Sequence, residues 1–400
     1  MVVQKFDKGR IVAMVAKTMY GLEPVLAEEL TALGAGNVRI LNRAVSFTGD
    51  KRLLYQANYS LRTALKVLIP IRERELNDAD DLYNFVRSVD WSKYLGVNDT
   101  LAVEVALKSD LFTHSQFVAQ RIKDAIVDQF RELTGKRPSV DLDNPTLRIN
   151  AYLNKNFLSV SLDSSGNPLY QRGYRLRQGP APLNEVLAAG LIKLTGWNDK
   201  DPFMDVMCGS GTLAIEAAMI AAGISPGDLG RSYGFQRWMD YDRKLFEEIS
   251  RKDKPIAPAI RTIYASDIDP EVVRLAMTHA KNAHVFDYIS FNTCHFNDVV
   301  PPAGPGVLLV NPPYGERIVP EDINLLYSQL GDKMKKSFEG YTAWIFSGNP
   351  EALKQVALRP SRRIHLYNGP LECRLHGYSL YAGSKKASRA YERNDPKEAV

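Results

Sequence analysis

Apolar residues along this chain change their spacing several times, and the changes divide it. Over residues 11–16 an apolar run reads as a strand, and Leu22, Leu26 and Leu30 place a helix over 21–33 that Gly34 stops. Residues 38–41 and 45–47 pair as a hairpin, 51–61 form a second helix and 64–71 a closing strand. That βαββαβ order predicts a small ferredoxin-like unit. A second unit follows, with a helix at 80–94 and a strand at 101–107. Val118, Ile122, Ile126, Phe130 and Leu133 then mark an amphipathic helix ended by Gly135. Alternation at 147–153 and 158–162 across Asn154-Lys155-Asn156 closes it with a hairpin.

From residue 182 onward strands and helices alternate, the mark of a parallel sheet. A helix at 184–194 precedes the strand 203–207, which runs into Cys208-Gly209-Ser210-Gly211-Thr212 and the Ala-rich helix 213–222. Residues 223–259 break the pattern; they carry Tyr233, Phe235, Trp238 and Tyr241, and lid, packing patch and RNA surface all fit them. The strand 261–266 ends in Asp267-Ile268-Asp269-Pro270, the strand 289–294 in a turn with Asn297-Asp298, and the strand 307–310 in Asn311-Pro312-Pro313-Tyr314. A helix at 322–338, a strand at 341–347 and a hairpin turning at Asn368-Gly369 complete the sheet, and residues 385–400 form a polar tail expected to lack fixed structure.

Composition narrows the class without naming a function. With 45% hydrophobic and 24% charged residues over 400 positions, the chain is ordinary globular material for two or three domains. The net charge of +5 is compatible with an anionic partner and does not require one. Three scattered cysteines, Cys208, Cys294 and Cys373, suggest neither a disulfide framework nor a metal site, and fit a reducing, cytoplasmic setting. No stretch is long and apolar enough to read as a membrane span.

Two stretches carry chemistry. Asn311 to Tyr314 form a rigid ledge: the prolines remove two amide donors and leave carbonyls that accept. The Asn311 side-chain oxygen and the Pro312 carbonyl suit the two N–H bonds of an exocyclic base amine, and Tyr314 can stack on the base. A strand end capped by a Pro-Pro turn is the plain alternative. The turn from Asp205 to Thr212 has glycines at 209 and 211 that let the backbone bend sharply and approach a ligand, and Asp267 ends the next strand, where a carboxylate can accept ribose hydroxyls. The basic run Arg172, Arg175 and Arg177 around Tyr174 offers phosphate contacts, although an exposed linker would also be basic.

Asp-x-x-Cys-Gly-Ser-Gly-Thr, Ser-Asp-Ile-Asp-Pro, Asn-Asp and Asn-Pro-Pro-Tyr-Gly-Glu-Arg, in that order, resemble the class I S-adenosylmethionine-dependent methyltransferases that modify exocyclic amines. The first 165 residues resemble the ferredoxin-like plus THUMP arrangement of RNA-modifying enzymes, and the whole is similar to bacterial 23S rRNA guanine-N2 methyltransferases, a group also described as N6-adenine-specific DNA methylases. The resemblance implies a ferredoxin-like unit at 1–75, a THUMP domain at 76–165 and a Rossmann-like methyltransferase domain at 166–384. It implies S-adenosylmethionine as cofactor, no metal and an RNA partner. It assigns Cys208, Gly209 and Gly211 to the methionine end with Asp205 shaping their turn, Pro182 and Leu183 to the segment closing over it, Asp267 to the ribose, Ile268 to the adenine face and Asp298 to the adenine amine. Asn311, Pro312, Pro313 and Tyr314 become the catalytic ledge, and Arg317 joins Arg172, Arg175 and Arg177 as an RNA contact. Asp205 as a helix cap and Asp269 as the ribose ligand remain alternatives. Adenine-N6 methylation, or a non-catalytic RNA-binding factor with a vestigial domain, are the rival functions.

Overall fold

The protein's structure is a computed structural model that describes residues 9–175, 183–251, 263–314 and 322–381. The chain forms two compact units, Met1–Gly173 with Ser225–Lys254, and Tyr174–Ile224 with Pro255–Val400. The tail at 385–400 lies outside the described residues.

In the first unit β1 (Val12–Lys17), α1 (Glu23–Ala32), β2 (Gly36–Leu41), β3 (Ala44–Gly49), α2 (Lys51–Ser60) and β4 (Lys66–Glu75) follow the ferredoxin-like order. Then come α3 (Ala79–Arg87), β5 (Thr100–Lys108), α4 (Ser115–Thr134), β6 (Ser139–Val140), β7 (Leu147–Asn154) and β8 (Phe157–Asp163). The described strands share one sheet in the order β2-β3-β1-β4-β8-β7-β5-β6. β4 is the joint: Lys66 to Leu68 pair with β1, and Leu68 to Glu75 pair with β8. Two stretches that read separately along the sequence therefore have one sheet and one core, with Met14, Ile69, Ile149 and Val160 buried on its inner face.

The helix expected over 80–94 stops at Arg87 and resumes as a three-ten turn at Trp91–Lys93. Gln129 on α4 causes the break: its amide donates to the carbonyls of Arg87 (2.8 Å) and Val89 (2.7 Å), and its oxygen accepts from the Trp91 amide at 3.0 Å. Satisfying the orphan carbonyls of a helix end from another element is invisible to local periodicity.

In the second unit α5 (Glu185–Thr195), β9 (Phe203–Asp205) and α6 (Thr212–Ala221) come first. The chain then returns to the first unit with α7 (Arg243–Ser250). There Phe235 stacks on Tyr55 with ring centroids 4.2 Å apart, Lys51 pairs with Asp240 at 3.0 Å, and Arg237 Nε donates to the Pro145 carbonyl at 2.7 Å. The aromatic residues that had no readable role in the sequence are packing residues of that core.

Arg172, expected at a phosphate, is fully buried in the first unit, where its guanidinium donates to the carbonyls of Leu169 (2.7 Å) and Arg62 (2.5 Å). A side chain so enclosed has no route to RNA. Arg172→Met should cost about 3 kcal/mol, because it leaves buried carbonyls without their charged donor. Urea unfolding reads this loss, and RNA affinity of the folded fraction should not change.

The second unit continues through β10 (Ile263–Asp267), α8 (Pro270–Asn282), β11 (Ile289–Thr293), β12 (Gly306–Val310), α9 (Ile323–Ser337), β13 (Tyr341–Ser347), α10 (Pro350–Gln355), β14 (Arg362–Asn368) and β15 (Leu371–Ser379). Its sheet order is β11-β10-β9-β12-β13-β15-β14, parallel from β11 to β13 and closed by the antiparallel β15 and β14. β9 has β10 on one side and β12 on the other, so the strand order reverses there, which in open α/β sheets opens a crevice at the carboxyl ends.

Candidate active site

β9 ends at Asp205 because the chain must bend at once. The Cys208 amide donates to the Ser266 carbonyl at 2.9 Å, and the Gly211 amide closes a turn onto the Cys208 carbonyl at 2.8 Å. Gly209 has φ +51 and donates its amide to Asp267 Oδ2 at 2.9 Å. Gly211 has φ +85, and a Cβ there would sit 2.9 Å from the Ala276 Cβ of α8. Conformation and space thus both demand glycine at 211. α6 begins directly afterwards with no side-chain cap, which leaves its first-turn amides to an anionic group.

Burial dominates the electrostatics of this turn. Asp205 is 1% exposed, and loss of solvent pushes its carboxyl up to about 8; the Met207 amide opposes that rise and the nearby Asp267 charge adds to it. Burial, with Asp205 and Asp267 close by, also pushes the Cys208 thiol well up. A protonated, enclosed thiol is a packing group and a poor nucleophile. Asp269 is engaged as the N-cap of α8, accepting from the amides of Glu271 (2.8 Å) and Val272 (3.4 Å). Asp267, at the end of β10, accepts one backbone amide on each oxygen and keeps further lone pairs for hydroxyl donors. Ile268 beside it is 66% exposed, an uncovered apolar side chain that suits the face of a flat ring. Asp298 is exposed in the turn after β11. Leu183 is buried, and Pro182, Arg177 and Arg317 lie outside the described residues.

Beside that turn, β12 pairs in parallel with β9, Leu308 opposite Met204, and delivers Asn311 to the same edge of the sheet. Asn311 Oδ1 is buried and accepts no hydrogen bond among the described residues. Buried acceptors are almost always satisfied, so this one asks for a donor beyond the described residues. Tyr314 is held from two sides: Asn368, the last residue of β14, donates to its hydroxyl at 2.9 Å, and Asn349 donates to its carbonyl at 3.4 Å. A Cβ on Gly348 would lie 2.5 Å from Leu371 Cδ2 and 3.2 Å from the tyrosine ring, so this glycine leaves room for both side chains. Sequence reading took Asn368-Gly369 as a turn signal only; its second role depends on a contact across 54 positions.

Arg175, expected at a phosphate, is engaged within the protein. Its guanidinium donates to the Leu183 carbonyl and to Thr212 Oγ1 at 2.9 Å, and its Nε lies 3.1 Å from Glu185 Oε1. The basic segment at 171–177 was read as a surface because alternation of Arg with Gly and Tyr looks the same whether the arginines face water or carbonyls.

Residues 172–376 match the RMKL-like methyltransferase domain, residues 77–163 the THUMP domain and residues 13–68 the RlmL ferredoxin-like domain. The chain belongs to the RMKL-like methyltransferase family. A Synechocystis protein whose name makes it a candidate RNA methyltransferase is 39% identical over 368 residues, covering 90% of this chain and 95% of its own. The crystal structure of SMU.472, a candidate methyltransferase complexed with SAH, has a TM-score of 0.85 at 28% identity and covers 94% of this chain and 100% of its own. A Listeria monocytogenes structure named as an N6-adenine-specific DNA methylase has a TM-score of 0.82 at 27% identity, over 93% of this chain and 97% of its own. As a family member the protein joins a ferredoxin-like unit, a THUMP domain and a class I methyltransferase fold in one chain. No helix among the described residues is long and apolar enough to cross a membrane.

Proposed function

We propose that this protein methylates the N2 amine of a guanine in large-subunit ribosomal RNA. The observation that supports methylation of an amine is the buried Asn311 Oδ1 at the end of β12, next to the turn after β9, which accepts no hydrogen bond among the described residues. S-adenosylmethionine supplies an electrophilic sulfonium methyl when bound. The residues that would hold it fit: the uncapped start of α6 and the Gly209 and Gly211 backbone for the methionine end, Asp267 for the ribose hydroxyls, Ile268 for the adenine face and Asp298 for its amine.

The target base leaves its stack to reach this edge, and Tyr314, steadied by Asn368, replaces the lost stacking. Asn311 Oδ1 and the Pro312 carbonyl accept the two N–H bonds of the amine and aim the nitrogen lone pair at the methyl carbon. As the N–C bond forms and the C–S bond breaks, sulfur recovers its electron pair and the surplus proton on nitrogen leaves to solvent. Positioning is the protein's main contribution, and no strong base is needed.

In this reading residues 1–75 and 76–165 grip RNA, recognised by shape and stacking, and residues 166–384 perform the transfer in the cytoplasm. Adenine-N6 methylation is the second reading, favoured by a ledge that accepts any exocyclic amine and by the name of the Listeria relative. Transfer of tritium from labelled S-adenosylmethionine to total RNA and to genomic DNA separates them. Label in large-subunit rRNA, mapped to one guanine that lacks a methyl in a deletion strain, is expected; label confined to DNA overturns the proposal.

A further inference from the structure

We propose that Arg175 and His279 are positioning residues that brace the cofactor turn from behind. The inference rests on the reading that residues 208–212 receive the methionine end of the cofactor. His279, on α8, is fully buried, and its Nδ1 lies 3.2 Å from the Ser210 carbonyl. A carbonyl only accepts, so Nδ1 carries the proton and donates. Ala276, one helical turn earlier on the same face of α8, touches Gly211. α8 therefore grips two consecutive residues of the turn, by contact at Gly211 and by hydrogen bond at Ser210. Arg175 holds the other end through Thr212, the first residue of α6, and the same guanidinium reaches the Leu183 carbonyl and Glu185 at the start of α5.

One charged side chain thus ties the segment at 183–185 to the turn at 208–212, the two places assigned to the methionine moiety. Among the described residues the hydrogen bonds of the brace go to protein atoms. It acts by fixing where the Gly209 and Gly211 backbone and the α6 amides sit before anything binds, which reduces the ordering that binding must impose. Local pattern does not reveal it, because a histidine on an amphipathic helix and an arginine in a basic run both have commoner explanations.

The test uses the full chain and S-adenosylhomocysteine binding by calorimetry, beside KM for each substrate. His279→Asn keeps an N–H donor near the position of Nδ1, and His279→Leu removes it. Because His279 Nε2 is itself buried without a partner among the described residues, replacing the ring by leucine removes one unsatisfied atom as it removes one bond, and the unfolding midpoint should stay near that of the parent. His279→Leu should weaken S-adenosylhomocysteine binding about tenfold, the cost of ordering about one turn residue that the parent already holds in place, and raise KM for the methyl donor alike while KM for RNA stays put. His279→Asn should recover most of the affinity. Arg175→Met should shift the same two quantities in the same direction, and decides the matter if the leucine variant does not fold. Parent-like affinity in both His279→Leu and Arg175→Met overturns the brace, as does an asparagine variant no better than leucine. Asp267→Ala separates the layers: if it too binds normally, the site reading fails; if it alone loses binding, only the brace fails.

Discussion

Asn311→Ala should lower kcat for methyl transfer by about 100- to 1,000-fold, the usual consequence of deleting one preorganised polar contact to a reacting centre. Stability should not fall with it. Asn311 Oδ1 accepts no bond among the described residues, and a desolvated polar atom left unpaired penalises the folded state by about 1–3 kcal/mol. Its removal is therefore neutral or mildly stabilising, although the small cavity left behind offsets part of the gain. Few substitutions separate function from folding so cleanly, because a residue kept for packing would show the opposite pair of effects. The measurement is single-turnover transfer at saturating methyl donor together with a urea unfolding curve. Parent-like transfer with S-adenosylhomocysteine binding intact would remove Asn311 from the amine-holding role, whereas a loss of both activity and stability would make it a structural residue.

The features legible in the sequence are those whose cause is local. Glycines at 209 and 211 and the acid at 267 all follow strand ends, and the structure brings all three to one edge of the second sheet because parallel strands place their ends together. The terminal hairpin is likewise written in Asn368-Gly369, and its strands run over Arg362–Asn368 and Leu371–Ser379. Long-range causes were illegible. Gln129 ends α3 from another helix, residues 225–254 return to the first unit, and β4 merges two small units by pairing on both of its edges. The misread arginines belong to the same class. Whether Arg172 meets a phosphate or a buried carbonyl is decided by Arg62, 110 positions away.

Asp205 gives the largest expected dependence on pH. In the unfolded chain it titrates as an ordinary aspartate near 3.8, and in the folded protein burial raises it to about 8. Below the unfolded value both states hold the proton and the group contributes no difference. Between the two values the unfolded state ionises while the folded state keeps its proton, so stability falls by about 1.4 kcal/mol per pH unit, and above the folded value the loss levels off. A folded-state value raised above the unfolded one thus leaves stability whole below the unfolded value and lowers it progressively as pH rises towards 8. Asp205→Asn cannot ionise and lacks this slope. Relative to the parent, the variant should gain ~4 kcal/mol in unfolding free energy between pH 5 and pH 8. Urea titrations of both proteins at the two pH values, without cofactor, measure the gain directly. Equal differences at pH 5 and pH 8 would mean that Asp205 is already ionised in the folded protein. The turn at 205–212 would then hold a buried negative charge before any cofactor arrives, instead of a neutral acid that a cationic ligand can ionise.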